Sequence, residues 1–162
     1  MYVKRYLSER LVAFKGTCFP YKTKRKTSFR HTATVGIGGN LGDVKRRFQH
    51  LFFYLQREHR VSVLETALIL KNPPFGYFDQ DDFFNSIIVV KTDMNAEAFL
   101  AYLMRLEKKF GRKRSFANAP RTLDLDMIFF DNLVMKTKNL TLPHPAWSQR
   151  ESVVIPLASM SR

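Results

Sequence analysis

The sequence predicts an α+β domain in which helices pack against a mainly antiparallel sheet. Strand-like apolar segments alternate with two segments of helical periodicity, in the order β-α-β-β-α-β. Glycine- and proline-rich turns separate these segments, and 45% of the 162 residues are hydrophobic, which is enough to form a core. This order is typical of the ferredoxin-like, split βαβ arrangement, and we expect an α/β/α sandwich.

The first half of the pattern begins with a strand and a glycine-rich turn within residues 34–42. Asp43 follows at an N-cap position, and apolar side chains then recur at helical spacing over residues 44–55. Residues 61–70 are rich in β-branched residues and leucine, so they predict a second strand. The proline-rich segment 72–76 ends that strand and opens a loop.

The second half repeats the alternation of strand and helix. Residues 83–90 predict a strand, and residues 96–110 predict a second amphipathic helix that Gly111 would terminate. A basic loop over residues 112–121 follows, and residues 123–130 form a strongly apolar segment that predicts a central strand. The remaining tail combines short extended pieces with a short helical segment.

Positive charge is concentrated at the start of the chain. The net charge is +13, and residues 1–31 hold nine basic residues and one acidic residue. We therefore expect residues 1–31 to be a peripheral basic extension, which could include a weak amphipathic helix over residues 1–14, and residues 32–162 to be the functional domain. The extension also has the basic, nearly acid-free composition of an organellar transit peptide. The modest surplus left for the domain is typical of an enzyme that handles nucleotides.

Several classes of protein are disfavoured by composition. No apolar run approaches the roughly 20 residues of a membrane-spanning helix. Cys18 is the only cysteine, so the chain can form neither an internal disulfide nor a multi-cysteine zinc site. We expect a cytoplasmic, monomeric protein that does not associate with membranes.

Two carboxylates interrupt the apolar strand near residue 125. Side chains alternate between the faces of a strand, so Asp124 and Asp126 share one face while Leu125 points to the core. Two neighbouring like charges beside a core are costly unless a cation neutralises them, and Mg²⁺ prefers carboxylate oxygens. The alternative is an exposed edge strand with solvated acids, which the apolar residues that follow disfavour.

Three arginines flank the acidic strand. Arg112, Arg114 and Arg121 lie close before it in sequence, and guanidiniums beside a carboxylate-bound metal are typical of a polyphosphate site. His144 lies between two prolines and is either a turn residue or a nucleotide contact. The glycines at 36, 38 and 39 lack the spacing of a known phosphate-binding loop, so they predict a structural turn.

Residues 120–126, with the sequence PRTLDLD, resemble the signature of the 6-hydroxymethyl-7,8-dihydropterin pyrophosphokinase (HPPK) family. Further segments resemble the other motifs of the family in the same order, over about residues 32–160. These segments are residues 36–42, 72–85, 107–114, 142–145 and 150–157.

The resemblance implies an enzyme that transfers the β,γ-pyrophosphate of ATP to the pterin 6-hydroxymethyl group, releasing AMP in folate biosynthesis. It implies that Asp124 and Asp126 hold two Mg²⁺ ions and act in catalysis. The other implied catalytic residues are Arg112, Arg114 and Arg121, of which Arg112 and Arg114 would lie on a mobile lid. The implied ATP-binding residues are Glu107, Arg112, Arg114, Arg121, Thr141, His144 and Arg150. The implied pterin-binding residues are Asn72, Pro73, Phe75, Phe83 and Asn85.

The chain departs from the family pattern at two aromatic positions. Ser152 stands where the family often has a pterin-stacking aromatic, for which Trp147 could compensate, and Asn118 stands where a lid tryptophan is common. These departures leave a catalytically weak nucleotide-binding homologue as one alternative. Another is a basic RNA-binding domain, since ferredoxin-like sheets also bind RNA. Because Asp124 and Asp126 would repel RNA phosphates, nucleic acid is the less favoured partner.

Overall fold

The computed structural model describes residues 1–113 and 115–160, and within them the chain forms ten strands, three α-helices and one 3₁₀ helix. The strands are β1 (Val3–Tyr6), β2 (Val12–Lys15), β3 (Tyr21–Lys22), β4 (His31–Gly39), β5 (Val61–Thr66), β6 (Ile69–Asn72), β7 (Phe83–Thr92), β8 (Asp124–Phe130), β9 (Met135–Lys136) and β10 (Thr141–Leu142). The α-helices are α1 (Val44–Arg57), α2 (Ala96–Lys109) and α3 (Glu151–Ala158), and the 3₁₀ helix is Trp147–Gln149.

Eight strands form one sheet in which every observed strand pair is antiparallel. The main path runs β1-β2-β6-β7-β4-β8, β5 also pairs with β7, and β3 pairs with β5. The two longest strands, β4 and β7, lie side by side at the centre. β9 and β10 form a separate two-stranded ribbon.

The helices cover both faces of the sheet. α1 and α2 cover one face, where the largest core cluster combines their apolar side chains with those of the central strands. α3 and the 3₁₀ helix cover the other face, where Val153 packs with Ile87 and Ile128. The predicted α+β class is therefore confirmed, with helices on a mainly antiparallel sheet.

The predicted helix starts are supported by side-chain caps. The Asp43 carboxylate accepts a hydrogen bond from the Arg46 backbone at 3.2 Å, and the Asn95 side chain accepts one from the Ala98 backbone at 2.8 Å. These caps satisfy backbone N–H groups that have no partner within the helix. No helix in the described ranges is long and apolar enough to cross a bilayer.

The single strand predicted over residues 61–70 is divided into β5 and β6. Both pair with the same side of β7, and between them the backbone N–H of Ala67 donates to the Ile87 carbonyl. The buried Ser86 hydroxyl donates to the carbonyls of Ala67 and Leu68. These contacts join residues about 20 positions apart, so the local apolar pattern could not reveal the break.

Residues 1–31, expected to be a peripheral extension, contribute strands and buried side chains to the same core. The helix suggested over residues 1–14 is wrong, because β1 and β2 form a hairpin and β2 pairs with β6. Phe19 is fully buried, and its ring lies 5.9 Å from that of Phe48 and 6.1 Å from that of Phe52 on α1. The hairpin has no clear periodicity of its own because its stability comes from pairing with a distant strand.

Candidate active site

The two aspartates lie on β8 opposite glycines of β4. Asp124 pairs with Gly38 and Asp126 with Gly36, while Leu125 between them is buried in the core against α1 and α2. A Cβ atom at Gly38 would lie 2.5 Å from the Asn85 side-chain oxygen, so glycine allows Asn85 to lie close to β4. β8 lies at the edge of the sheet, which agrees with one part of the alternative that Asp124 and Asp126 are solvated acids on an exposed edge strand. Both carboxylates are only partly exposed, however, which disagrees with the other part.

Asp124 is held by two arginines. Arg112 Nη1 donates to Asp124 Oδ1 at 2.7 Å and to Glu107 Oε2 at 2.7 Å, and Arg121 Nη1 lies 3.3 Å from Asp124 Oδ2. The Arg112 side chain is only 11% exposed, so this pair is shielded from solvent. Arg112 is thus anchored against α2 and β8. Arg114, the third predicted arginine, lies outside the described residues.

Asp126 has the opposite environment. Burial, followed by the neighbouring charges of Asp124 and Glu107, raises the pKa of Asp126 to about 7, although Arg150 and Arg112 oppose this shift. None of the described side chains donates a hydrogen bond to the carboxylate of Asp126. A divalent cation between Asp124 and Asp126 would offset both causes of the raised pKa.

The donor set fits Mg²⁺ rather than a metal enclosed by protein ligands. Across residues 1–113 and 115–160 no group of three or more His, Cys, Asp or Glu side chains is arranged to hold a metal. Mg²⁺ commonly uses one or two carboxylates and completes its coordination with waters and substrate phosphates. Asp124 and Asp126 can supply those carboxylates.

Glu107 supports the site from α2. It is buried, and its Oε2 atom accepts hydrogen bonds from the Leu125 backbone at 2.8 Å and from Arg112. These contacts fix the position of β8 and of the Arg112 guanidinium. Glu107 was predicted to bind ATP, and the contacts seen in the structure are to protein groups.

A cleft of about 400 Å³ adjoins the acidic strand. Asp124, Arg121 and Arg150 line it together with all five residues predicted to bind pterin. Asn85 donates to the Asn72 side-chain oxygen at 2.7 Å, so the two amides are mutually oriented. The cleft therefore joins charged groups to a flat, partly apolar compartment. The five predicted residues are Asn72, Pro73, Phe75, Phe83 and Asn85.

Two arginines stack on aromatic rings at this cleft. The Arg121 guanidinium lies 5.5 Å from the centre of the Phe83 ring, and that of Arg150 lies 5.5 Å from the centre of the Phe75 ring. Both distances are within the range of cation–π contacts. Since Phe75 is 70% exposed, its ring is available to a ligand.

The remaining predicted ATP-binding residues lie after β8. The backbone N–H of His144 donates to the Ile128 carbonyl at 2.9 Å, and Nδ1 accepts from the Ala146 backbone at 3.3 Å. Burial, followed by the charge of Arg150, lowers the pKa of His144, which favours a neutral imidazole ring. The hydrogen bond from Ala146 uses Nδ1 and not Nε2. Thr141 lies on β10 and does not line the cleft.

Asn40 joins three loops around the site, a role that sequence reasoning missed. Its side-chain oxygen accepts from the Arg121 backbone at 3.0 Å, and its amide donates to Gln80 Oε1 at 2.8 Å and to the Asp81 carbonyl at 2.9 Å. Gln80 in turn donates to the Asn118 carbonyl at 2.9 Å. The signal that the sequence offers is a polar residue within a glycine-rich turn, and the structure shows that this residue is buried.

The aromatic departures from the family pattern have clear structural outcomes. Ser152 lines the cleft, whereas Trp147 packs against Phe129 at 5.0 Å and is not among the cleft residues. Trp147 therefore does not replace an aromatic at position 152. On the other side, Phe116 contacts Tyr77 at 5.1 Å, next to Asn118.

Comparisons with known proteins identify the family. A family model described as 7,8-dihydro-6-hydroxymethylpterin-pyrophosphokinase (HPPK) matches residues 34–162. The chain is 38% identical over 142 residues to the 2-amino-4-hydroxy-6-hydroxymethyldihydropteridine pyrophosphokinase of Helicobacter pylori, covering 86% of this chain and 87% of the relative. It is 39% identical over 143 residues to the enzyme of that name from Campylobacter jejuni, covering 88% and 91%.

The chain belongs to the HPPK family, which confirms the resemblance seen in its motifs. A further relative with the same name, from Bacillus subtilis, is 32% identical over 128 residues, covering 79% of this chain and 77% of the relative. The alignments with the Helicobacter and Campylobacter proteins cover a larger share of the chain than residues 34–162 represent. They therefore include part of the N-terminal segment.

Proposed function

We propose that this protein transfers pyrophosphate from ATP to 6-hydroxymethyl-7,8-dihydropterin, giving AMP and the pterin diphosphate, in folate biosynthesis. One observation carries the proposal. Asp124 and Arg121 line the same cleft as Asn72, Phe83 and Asn85, and Arg112 contacts Asp124. The names of the similar proteins describe the same reaction.

The reaction is an in-line displacement at phosphorus. The pterin hydroxyl oxygen forms a bond to the β-phosphorus of ATP, and the bond from that phosphorus to the oxygen bridging to the α-phosphate breaks. AMP is the leaving group, and the hydroxyl proton is released. Such a reaction depends on positioning and on charge neutralisation, both of which this site can provide.

Arg112 and Arg121 neutralise phosphate charge in this proposal. Both guanidiniums already contact Asp124, so they lie where the carboxylate and the phosphates of ATP would meet. Asn40 holds the backbone of Arg121, which limits the motion of this arginine. Asp124 and Asp126 would hold two Mg²⁺ ions, which supply further neutralisation of the polyphosphate. Arg114, Thr141, His144 and Arg150 remain proposed ATP contacts.

The amide pair orients the pterin. The heterocycle has an edge of alternating hydrogen-bond donors and acceptors, and Asn85 and Asn72 present both types of group. Phe83 offers a flat surface beside this pair, and Pro73 and Phe75 close the compartment. A site of this kind can exclude water from the reacting hydroxyl.

The order β8-β4-β7-β5, with α1 and α2 as the connections, supports the inference of a ferredoxin-like core. The RNA-binding alternative needs aromatics on an open sheet face, whereas helices cover both faces of the central strands. We further propose a cytoplasmic monomer, since all the groups needed for the reaction come from one chain and Cys18 is a free, buried thiol.

The decisive experiment measures AMP and pterin diphosphate together. Purified protein is incubated with ATP, Mg²⁺ and the reduced hydroxymethylpterin, and the products are separated and identified by mass. We expect equal amounts of AMP and pterin diphosphate, and no AMP without pterin. Formation of ADP, or absence of pterin-dependent AMP, would contradict the proposal and favour the weak homologue.

A further inference from the structure

The N-terminal turn of the chain lies against the cleft. Arg10 and Leu11, which precede β2, line the same cleft as Asn72, Pro73 and Ser152. These two residues precede the region matched by the family model. The segment expected to be peripheral therefore contacts the space that the substrates would occupy.

Strand register explains this position. Val12 pairs with Lys71 in the antiparallel β2–β6 pair, and Lys71 is followed directly by Asn72 and Pro73. Continuing the register places Leu11 beside Asn72 and Arg10 beside Pro73. The two N-terminal residues are thus neighbours of the predicted pterin compartment.

Hydrogen bonds hold the backbone of the turn that carries these residues. The Ser8 hydroxyl accepts hydrogen bonds from the backbones of Arg10 and Leu11, each at 3.2 Å, and the Leu7 backbone donates to the Leu11 carbonyl at 2.9 Å. Leu11 also packs against the buried cluster of Ala13, Leu68 and Leu70, where Ile155 of α3 packs as well. A fixed backbone can present both side chains to a ligand without a large ordering cost.

The α3 residues that line the cleft are Glu151 and Ser152, both polar, whereas Leu11 supplies an apolar side chain. Ser152 precedes Ile155 by about one helical turn. The Leu11 side chain, packed near that turn, presents methyl groups to a flat heterocycle. A triphosphate would gain nothing from such a contact.

Arg10 complements this surface. It is exposed, and among residues 1–113 and 115–160 no carboxylate forms an ion pair with its guanidinium. A planar guanidinium can stack on a flat ring while its charge stays in water. Its position beside Pro73 suits the outer edge of the pterin compartment.

We propose that Leu11 and Arg10 form a wall of the pterin-binding compartment, so that the N-terminal turn binds the substrate. The inference rests on the proposed pyrophosphate transfer, because it names further contacts for the pterin. It makes Leu11 and Arg10 binding residues that act on the pterin and leave ATP unaffected.

Steady-state kinetics of five variants test the proposal. Leu11→Ala should raise the KM for the pterin about tenfold, and Arg10→Ala about threefold, while the KM for ATP and kcat change less than about twofold. Leu7→Ala and Arg5→Ala are matched controls, because these residues lie in the same hairpin but do not line the cleft. Leu11→Met, which keeps apolar volume, should retain a KM close to that of the unaltered protein.

Binding measurements separate this inference from the proposed reaction. Calorimetric titration with the pterin should show the same losses of affinity without turnover. An unchanged pterin affinity in both Leu11→Ala and Arg10→Ala, or an equal rise in the KM for ATP, overturns the inference. If Leu11→Ala does not fold, Arg10→Ala alone decides, because Arg10 is exposed. Failure of the unaltered protein to form AMP would instead overturn the proposed reaction.

Discussion

At the scale of single residues, Asp124 and Asp126 have different environments although their side chains share one face of β8. Asp124 already receives hydrogen bonds from Arg112 and Arg121, whereas none of the described side chains donates to Asp126, and its pKa is raised to about 7. The arginines stabilise the charge of Asp124 before any ligand is present. In the proposed metal site, a cation between the two carboxylates would offset the repulsion that Asp124 exerts on Asp126.

The first prediction concerns turnover. Asp124→Asn and Asp126→Asn keep the shape of the side chain but each delete one negative charge next to the proposed metal. We expect each variant to lose at least about two decades of kcat and to need more Mg²⁺, since the lost neutralisation falls on the transition state. Turnover measured against Mg²⁺ concentration tests this. Asp93→Asn, an exposed site paired with Arg30, is the control. Near-normal activity with an unchanged Mg²⁺ requirement would remove the pair from the active site.

The second prediction concerns stability without metal. The pKa of Asp126 is raised from 3.8 to about 7, so the folded protein keeps this proton to higher pH than the unfolded chain. The stability contributed by Asp126 therefore falls as pH rises between these values, and the penalty remains above pH 7. Asp126→Asn removes the cost of ionising this buried carboxyl. At pH 8, with a chelator present, we therefore expect its free energy of unfolding to exceed that of the unaltered protein by at least about 1 kcal/mol.

The control for this stability difference is Asp124→Asn, which should have the opposite effect because it weakens the contacts with Arg112 and Arg121. Both variants and the unaltered protein are unfolded in urea at pH 3.5 and pH 8. The advantage of Asp126→Asn should disappear at pH 3.5, where Asp126 is protonated in both states. An equal advantage at both pH values would show that its origin is not ionisation.

At the scale of elements, the N-terminal hairpin is part of the fold rather than an addition to it. β2 extends the sheet beyond β6, and Phe19 fills space against α1. Because β6 leads directly into the proline-rich loop at residue 72, the hairpin also fixes one end of that loop. Core stability and the shape of the cleft are therefore linked through β6.

The third prediction tests how much residues 1–31 contribute to the stability of the core. Phe19→Ala removes a fully buried ring, so we expect the free energy of unfolding to fall by about 3–5 kcal/mol. Phe53→Ala on α1 is the control, because the Phe53 side chain is 50% exposed and should matter much less. Chemical denaturation measures both. A chain that begins at Thr32 should be strongly destabilised as well. Normal stability of that shortened chain would restore the peripheral interpretation, in which residues 1–31 are dispensable.

Elements with a local signal were predictable from the sequence, and those fixed by distant pairing were not. α1 and α2 have apolar residues at helical spacing and capping residues, and both occur where expected. The alternation of Asp124, Leu125 and Asp126 likewise gave the acidic face of β8. By contrast, β2 depends on pairing with β6 across more than 50 positions, and so does the place of Leu11 in the cleft. No local pattern encodes such a register.

At the scale of the whole molecule, the net positive charge has the sign that attracts ATP, the proposed anionic substrate. The net charge of +13 includes the N-terminal segment, which the structure places in the same body as the cleft. A field of this sign attracts the ATP polyanion and acts over about 10 Å at moderate ionic strength. The pterin is neutral, so the same field leaves its association unaffected.

The fourth prediction follows from this difference. Raising the ionic strength from about 0.05 M to 0.5 M should lower kcat/KM for ATP several-fold, because screening weakens long-range attraction. The KM for the pterin, measured at saturating ATP, should change much less. Parallel titrations with two inert salts at equal ionic strength distinguish screening from binding of a specific ion. Equal sensitivity of both substrates would show that the overall charge does not guide ATP.

The open edge of the sheet at β1 has a further consequence. All four residues of β1 are exposed, and β1 pairs only with β2 on the main path of the sheet, which leaves its other side free to pair with a strand of another molecule. At the opposite edge, the His144 backbone already occupies the Ile128 carbonyl of β8. Lys4 and Arg5 lie on β1, and adjacent like charges would repel each other if two such edges met. Lys4 and Arg5 belong to the segment whose composition is that of a transit peptide, and in the folded chain their charges oppose edge-to-edge pairing of β1 between two molecules.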